Sequence, residues 1–86
     1  MSEKQIQHVL VRSSNVHSVG YSLQARALEV HFRSGGVYRY YDVPKFVYDA
    51  LLHAPSTGKF LAANVKGIYR YRKVADRPMD APAPLV

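Results

Sequence analysis

One eight-residue pattern occurs twice in this chain and constrains its fold more than any other feature. Residues 36–43 read Gly, Val, Tyr, Arg, Tyr, Tyr, Asp, Val; residues 67–74 read Gly, Ile, Tyr, Arg, Tyr, Arg, Lys, Val, thirty-one positions later. Tyrosine and β-branched residues fit a pleated, half-buried surface. Each run therefore predicts a β-strand with its Tyr-x-Tyr pair on one face and Arg on the other. The match ends at Pro44 and Ala75, too short for a duplicated domain.

The rest of the chain fits around these strands. Residues 8–11 form a short apolar run, Ser13-Ser14-Asn15 marks a turn, and a second strand covers 16–22. Gly20 inside it signals a bulge or a close backbone approach. Over 27–33, Leu28, Val30 and Phe32 alternate with Glu29, His31 and Arg33, so one face is buried and one is wet. A three-residue loop over 34–36 would set Phe32 opposite Tyr38 and Val30 opposite Tyr40, keeping the apolar residues of both strands on one face. Gly36 would then take the left-handed position. Pro44 opens a helix whose apolar stripe is Val43, Val47, Ala50, Leu51 and Ala54, widened by Phe46. Pro55 stops it, and Ser56 caps a second helix that runs to about Val65 and buries Phe60, Leu61 and Val65. Gly67 fits the C-terminal cap. The expected class is α+β: an antiparallel meander of three to four strands, two short helices packed on one face, and a final edge strand.

Eighty-six residues make one domain. Residues 1–7 are polar and 75–86 are rich in Pro and Ala, so both are expected to be disordered around a domain at 8–74. The absence of cysteine excludes disulfides, thiol catalysis and cysteine zinc sites. No apolar stretch suggests a leader or a membrane span, so a monomeric cytoplasmic protein is the default expectation. Twelve Lys and Arg against six Asp and Glu give a formal charge of +6, which favours an anionic partner.

Taken in order, Ser13-Ser14-Asn15, Gly20-Tyr21, Leu28-x-Val30-x-Phe32, Gly36-x-Tyr38-x-Tyr40, Val43-Pro44, Ala54-x-Ser56-x-Gly58-x-Phe60 and Tyr69-x-Tyr71 resemble the KTSC domain. That small bacterial module is named for the C-terminus of some lysyl-tRNA synthetases and also occurs free-standing. The resemblance spans about residues 11–74. It implies an association with RNA-handling proteins, and it supplies no catalytic or binding residues.

Candidate binding residues therefore come from chemistry alone. Lys59, Lys66, Arg70, Arg72 and Lys73 are a basic cluster, and Tyr69 and Tyr71 interleave with it. Cations that track a backbone beside aromatic faces suit single-stranded nucleic acid. Arg39 and Tyr41 are expected on the opposite sheet face with Glu29 and His31. The plain alternatives are a solvated sheet face and an edge strand protected by charge. His8, His17, His31 and His53 fall on different elements without metal-ligand spacing, so no metal, cofactor or catalytic set is expected. The sequence thus points to a small non-catalytic module that binds nucleic acid, RNA more readily than DNA. The alternative is a protein-interaction module that uses its Tyr-rich edge strand for β-augmentation.

Overall fold

The computed structural model describes residues 6–77. Five antiparallel strands form one sheet in chain order: β1 (His8–Leu10), β2 (Val16–Ser22), β3 (Ala27–Phe32), β4 (Gly36–Tyr40) and β5 (Tyr71–Asp76). Helices α1 (Lys45–His53) and α2 (Thr57–Asn64) lie between β4 and β5 and pack on one face of the sheet. The architecture is α+β.

Strand periodicity sorts the side chains. Leu28, Val30 and Tyr40 point toward the helices and are buried with Val43, Val47, Leu51, Leu61 and Val65 in one cluster. Tyr21 stacks on Tyr48 of α1, with centroids 5.4 Å apart. Glu29, His31 and Arg39 point the other way, across a face on which no described helix lies. β2 obeys the same rule with one interruption. Val16 pairs with Phe32 and Ser18 with His31, which leaves His17 as the extra residue of a bulge. The bulge lets Val16 and Val19, an odd number of residues apart, both point into the core at 0% exposure. Gly20 marks a close approach: a Cβ there would collide with the Gln7 carbonyl oxygen.

The β3–β4 hairpin keeps the expected faces but shifts the pairing. Val30 lies opposite Tyr38 and Leu28 opposite Tyr40, two residues from the expected register. The three-residue loop is Arg33-Ser34-Gly35, closed by the Gly35 N–H donating to the Phe32 carbonyl at 2.9 Å. Gly35, at φ 115°, takes the positive-φ position expected for Gly36. A two-residue shift preserves alternation, so face logic could not tell the two registers apart. Phe32 and Tyr38 still meet edge to face, 5.6 Å between centroids. Gly36 is instead an extended strand residue over which the Tyr38 ring folds; a Cβ there would sit 2.7 Å from Tyr38 Cε1.

Other expectations change: Ala50 of the expected stripe is exposed, and Phe60 is only half-buried. Phe46 does not widen the apolar stripe; it is 71% exposed, because α1 buries only Val47 and Leu51. The second Tyr-Arg-Tyr run is only half strand. The Ile68 and Tyr69 N–H groups donate to the Val65 carbonyl, so the turn after α2 continues through Gly67 at φ 79° and β5 begins at Tyr71. β5 also runs past the expected boundary at Val74, since Val37 pairs with Ala75 and Gly36 with Asp76. Backbone pairing there does not depend on apolar side chains. Residues 1–5 and 78–86, where disorder was expected, lie outside the described residues. Ser56 behaves as expected, its Oγ accepting from the Lys59 N–H at 3.2 Å.

Core and surface therefore predict opposite responses to truncation. Leu28→Ala should cost about 2–5 kcal/mol by urea denaturation, as for a buried leucine. Phe46→Ala should change stability by no more than about 0.5 kcal/mol, as at an exposed site.

Candidate functional site

The two helices leave one corner of the inner sheet face uncovered. Phe32 ends β3, Tyr38 and Tyr40 come from β4, Tyr71 opens β5, and the turn after α2 brings Lys66 and Gly67 across from them. With Ser34 these residues line a cleft of about 560 Å³. Its rings lean on one another without closing it. Tyr71 lies 5.6 Å from Tyr40 and 5.8 Å from Tyr38, tilted by 42° and 53°. Tyr40 forms the floor at 3% exposure, whereas Tyr71 stands 58% exposed. The Lys66 ammonium sits over the Phe32 ring, 4.9 Å from its centroid. Lys73 lies opposite Tyr38 in the β4–β5 ladder and pairs with Asp76 at 2.9 Å. The hydrogen bond to Asp76 and then its charge push the Lys73 pKa above its ordinary value. The cleft can therefore offer a planar ligand aromatic faces and place cations at its rim.

The structure divides the expected basic cluster. Lys66 and Tyr71 line the cleft, and Lys73 lies beside its Tyr38. Arg70 turns away, 5.4 Å over the Tyr41 ring and 3.4 Å from the Asp42 carboxylate. Arg72 lies opposite Arg39, on the helix-free face. Tyr69 is half-buried against the core and does not line the cleft. Lys59 lines a separate hollow of about 360 Å³ with Arg12, Ser13, Asn15 and Ser56. Sequence reasoning missed Phe32, Tyr38 and Tyr40 as cleft residues. Alternation places them correctly on the helix side, but it does not say where the helices end.

The helix-free face carries a polar network drawn from four strands. Arg39 donates Nε and Nη2 to Glu29 Oε2 at 2.9 and 2.7 Å. Glu29 Oε1 lies 2.7 Å from His8 Nε2, and His8 Nδ1 lies 2.8 Å from Ser18 Oγ. His31 Nε2 donates to the Arg77 carbonyl at 2.9 Å, and His17 meets His31 edge to face at 5.1 Å. Burial lowers the His17 pKa, helped by His31, Arg33 and His8. These residues border a groove of about 510 Å³. Among the described residues no group of three or more His, Asp or Glu is placed to hold a metal ion. No described helix is long and apolar enough to cross a membrane.

The cleft floor makes a prediction. Burial, then Tyr71 and Tyr38, raise the Tyr40 pKa above its ordinary value of 10.0. The folded state thus disfavours the phenolate. The stability Tyr40 contributes is full below the unfolded pKa and falls as pH rises through the raised folded value. The urea midpoint of the wild type should drop above about pH 10, and that of Tyr40→Phe should drop less.

The chain matches the KTSC domain over residues 12–71. It is 43% identical over 65 residues to a protein of Tsukamurella paurometabola, covering 76% of this chain and 94% of that one. A lysine–tRNA ligase of Trichormus variabilis is 34% identical over 55 residues, which is 64% of this chain but only 10% of the ligase. The crystal structure of the KTSC domain protein YPO2434 from Yersinia pestis superposes with a TM-score of 0.80 at 35% identity, covering 83% of this chain and all of that one. The chain belongs to the KTSC domain family.

Proposed function

We propose that this KTSC domain is a binding module for single-stranded RNA, with the aromatic cleft at the β4–β5 corner as its contact point. The observation that carries the reading is the cleft itself. Four aromatic rings meet there, one of them more than half exposed, with Lys66 on the wall and Lys73 beside Tyr38. Unpaired bases stack on such rings, and rim cations take the adjacent phosphates. The formal charge of +6 supports an anionic ligand. The likeness of this segment to part of a lysine–tRNA ligase favours RNA over DNA by association.

A second reading rests on the outer edge of β5. This strand ends the sheet and pairs only with β4 among the described residues. Its free backbone groups could add a strand from an extended protein segment. Arg72 and Lys73 along it disfavour indiscriminate pairing.

Titration of labelled protein with a mixed-sequence RNA oligonucleotide at low salt separates the two readings. RNA binding should shift amides of Phe32, Tyr38, Lys66 and Tyr71. Tyr71→Ala should cost about 1–3 kcal/mol of affinity. Replacing Lys66 and Lys73 together by Gln should flatten the slope of log K against log salt by about 1.4, at about 0.7 per phosphate on a single strand. Lys59→Gln should do little, since its hollow is separate. If neither RNA nor DNA shifts an amide around the cleft at low salt, the nucleic-acid reading falls and the edge strand takes precedence.

A further inference from the structure

The helix-free face holds an arrangement that RNA binding does not use. His8, Ser18 and Glu29 stand on β1, β2 and β3, and His8 precedes the residues that match the family. When the His8 ring is neutral, its two partners select one tautomer. A carboxylate paired with arginine is an acceptor only, so Glu29 Oε1 receives the Nε2–H of His8 at 2.7 Å. Nδ1 of the neutral ring is then bare, and the Ser18 hydroxyl donates to it at 2.8 Å. Moving the serine proton to Nδ1 leaves both contacts in place. The imidazolium donates from both nitrogens, one to the serine oxygen and one to the carboxylate. A nucleophile within reach of a base that a third group orients is the signature of covalent acyl transfer.

We propose that this face is an acyl-transfer site, with Ser18 as nucleophile, His8 as its general base and Glu29 as the positioning residue that Arg39 anchors. Ser18 is only 4% exposed and lines the 510 Å³ groove beside Leu10, Val37 and Ala75. The substrate class is a slim carboxylic ester whose acyl group lies against those apolar residues. Ser18 Oγ bonds to the carbonyl carbon while its proton passes to His8 Nδ1. The ester C–O bond then breaks, and the alcohol leaves with that proton. Water attacks the acyl-serine in turn, giving its proton to His8, and the free acid and Ser18 are restored. General-base assistance contributes about 10²–10⁴-fold.

The test uses a small fluorophosphonate, which forms a P–O bond to an activated serine and releases fluoride. The adduct is mapped by mass spectrometry on folded protein. The wild type should be labelled at Ser18. His8→Ala should label about 10²-fold more slowly while keeping its circular dichroism, and added imidazole should restore part of the rate. Glu29→Gln should lower the maximal labelling rate and leave the half-saturating probe concentration unchanged. The wild-type arm stands even if a variant fails to fold. No adduct at Ser18 in the folded wild type, adducts only at Tyr or Lys, or equal labelling of a folded His8→Ala would overturn the proposal.

Discussion

Two short helices leave part of a five-stranded sheet uncovered. At ~1.5 Å per residue, α1 and α2 span ~14 and ~12 Å. Five strands at ~4.8 Å spacing put the outer two ~19 Å apart. The shortfall organises the molecule. Where the helices reach, Leu28 and Val30 meet Leu51, Leu61 and Val65, and the core is dry. Where they do not, at the β4–β5 corner, the same inner face carries Tyr71 and Phe32, rings that tolerate partial wetting. Aromatic residues suit such a margin, because their faces bury area and a tyrosine such as Tyr71 can keep its hydroxyl in water.

The opposite face, bare of helix among the described residues, solves the same problem differently. Glu29 at 7% exposure would be costly without partners, and Arg39 and His8 supply them. The network also ties β1, a strand of only three residues, to the centre of the sheet. Its parts serve the sheet whether or not they react. Pairing geometry, rather than local sequence, brings a serine and a carboxylate each within hydrogen-bond reach of one histidine.

Much of this was legible in the sequence. The alternation Leu28-x-Val30-x-Phe32 and the Tyr38-x-Tyr40 pair fix the inner face, and the Ser56 cap and Pro55 fix the break between helices. What was not legible required counts that pattern alone does not supply. A hairpin displaced by two residues keeps every face, so Gly35 and Gly36 could exchange roles without a visible conflict. Phe46 fits the helical stripe, but helical spacing does not say how far the neighbouring layer extends. The second Tyr-Arg-Tyr run reads as strand throughout, yet backbone donors from Ile68 and Tyr69 continue the turn after α2. Ser18 and Glu29 lie 10 and 21 positions after His8, so only the folded register makes them its neighbours.

Gly36 bears on how wide the cleft is. The Tyr38 ring rests where a side chain at 36 would stand, so the glycine acts as a recess that parks the ring against the sheet. Any larger residue would push that ring toward Tyr71 and narrow the opening from within. The aperture of the cleft is thus set by a residue that contributes no atom to its lining. Relatives that differ at this one position would present the same rings at a different spacing and accept ligands of a different thickness.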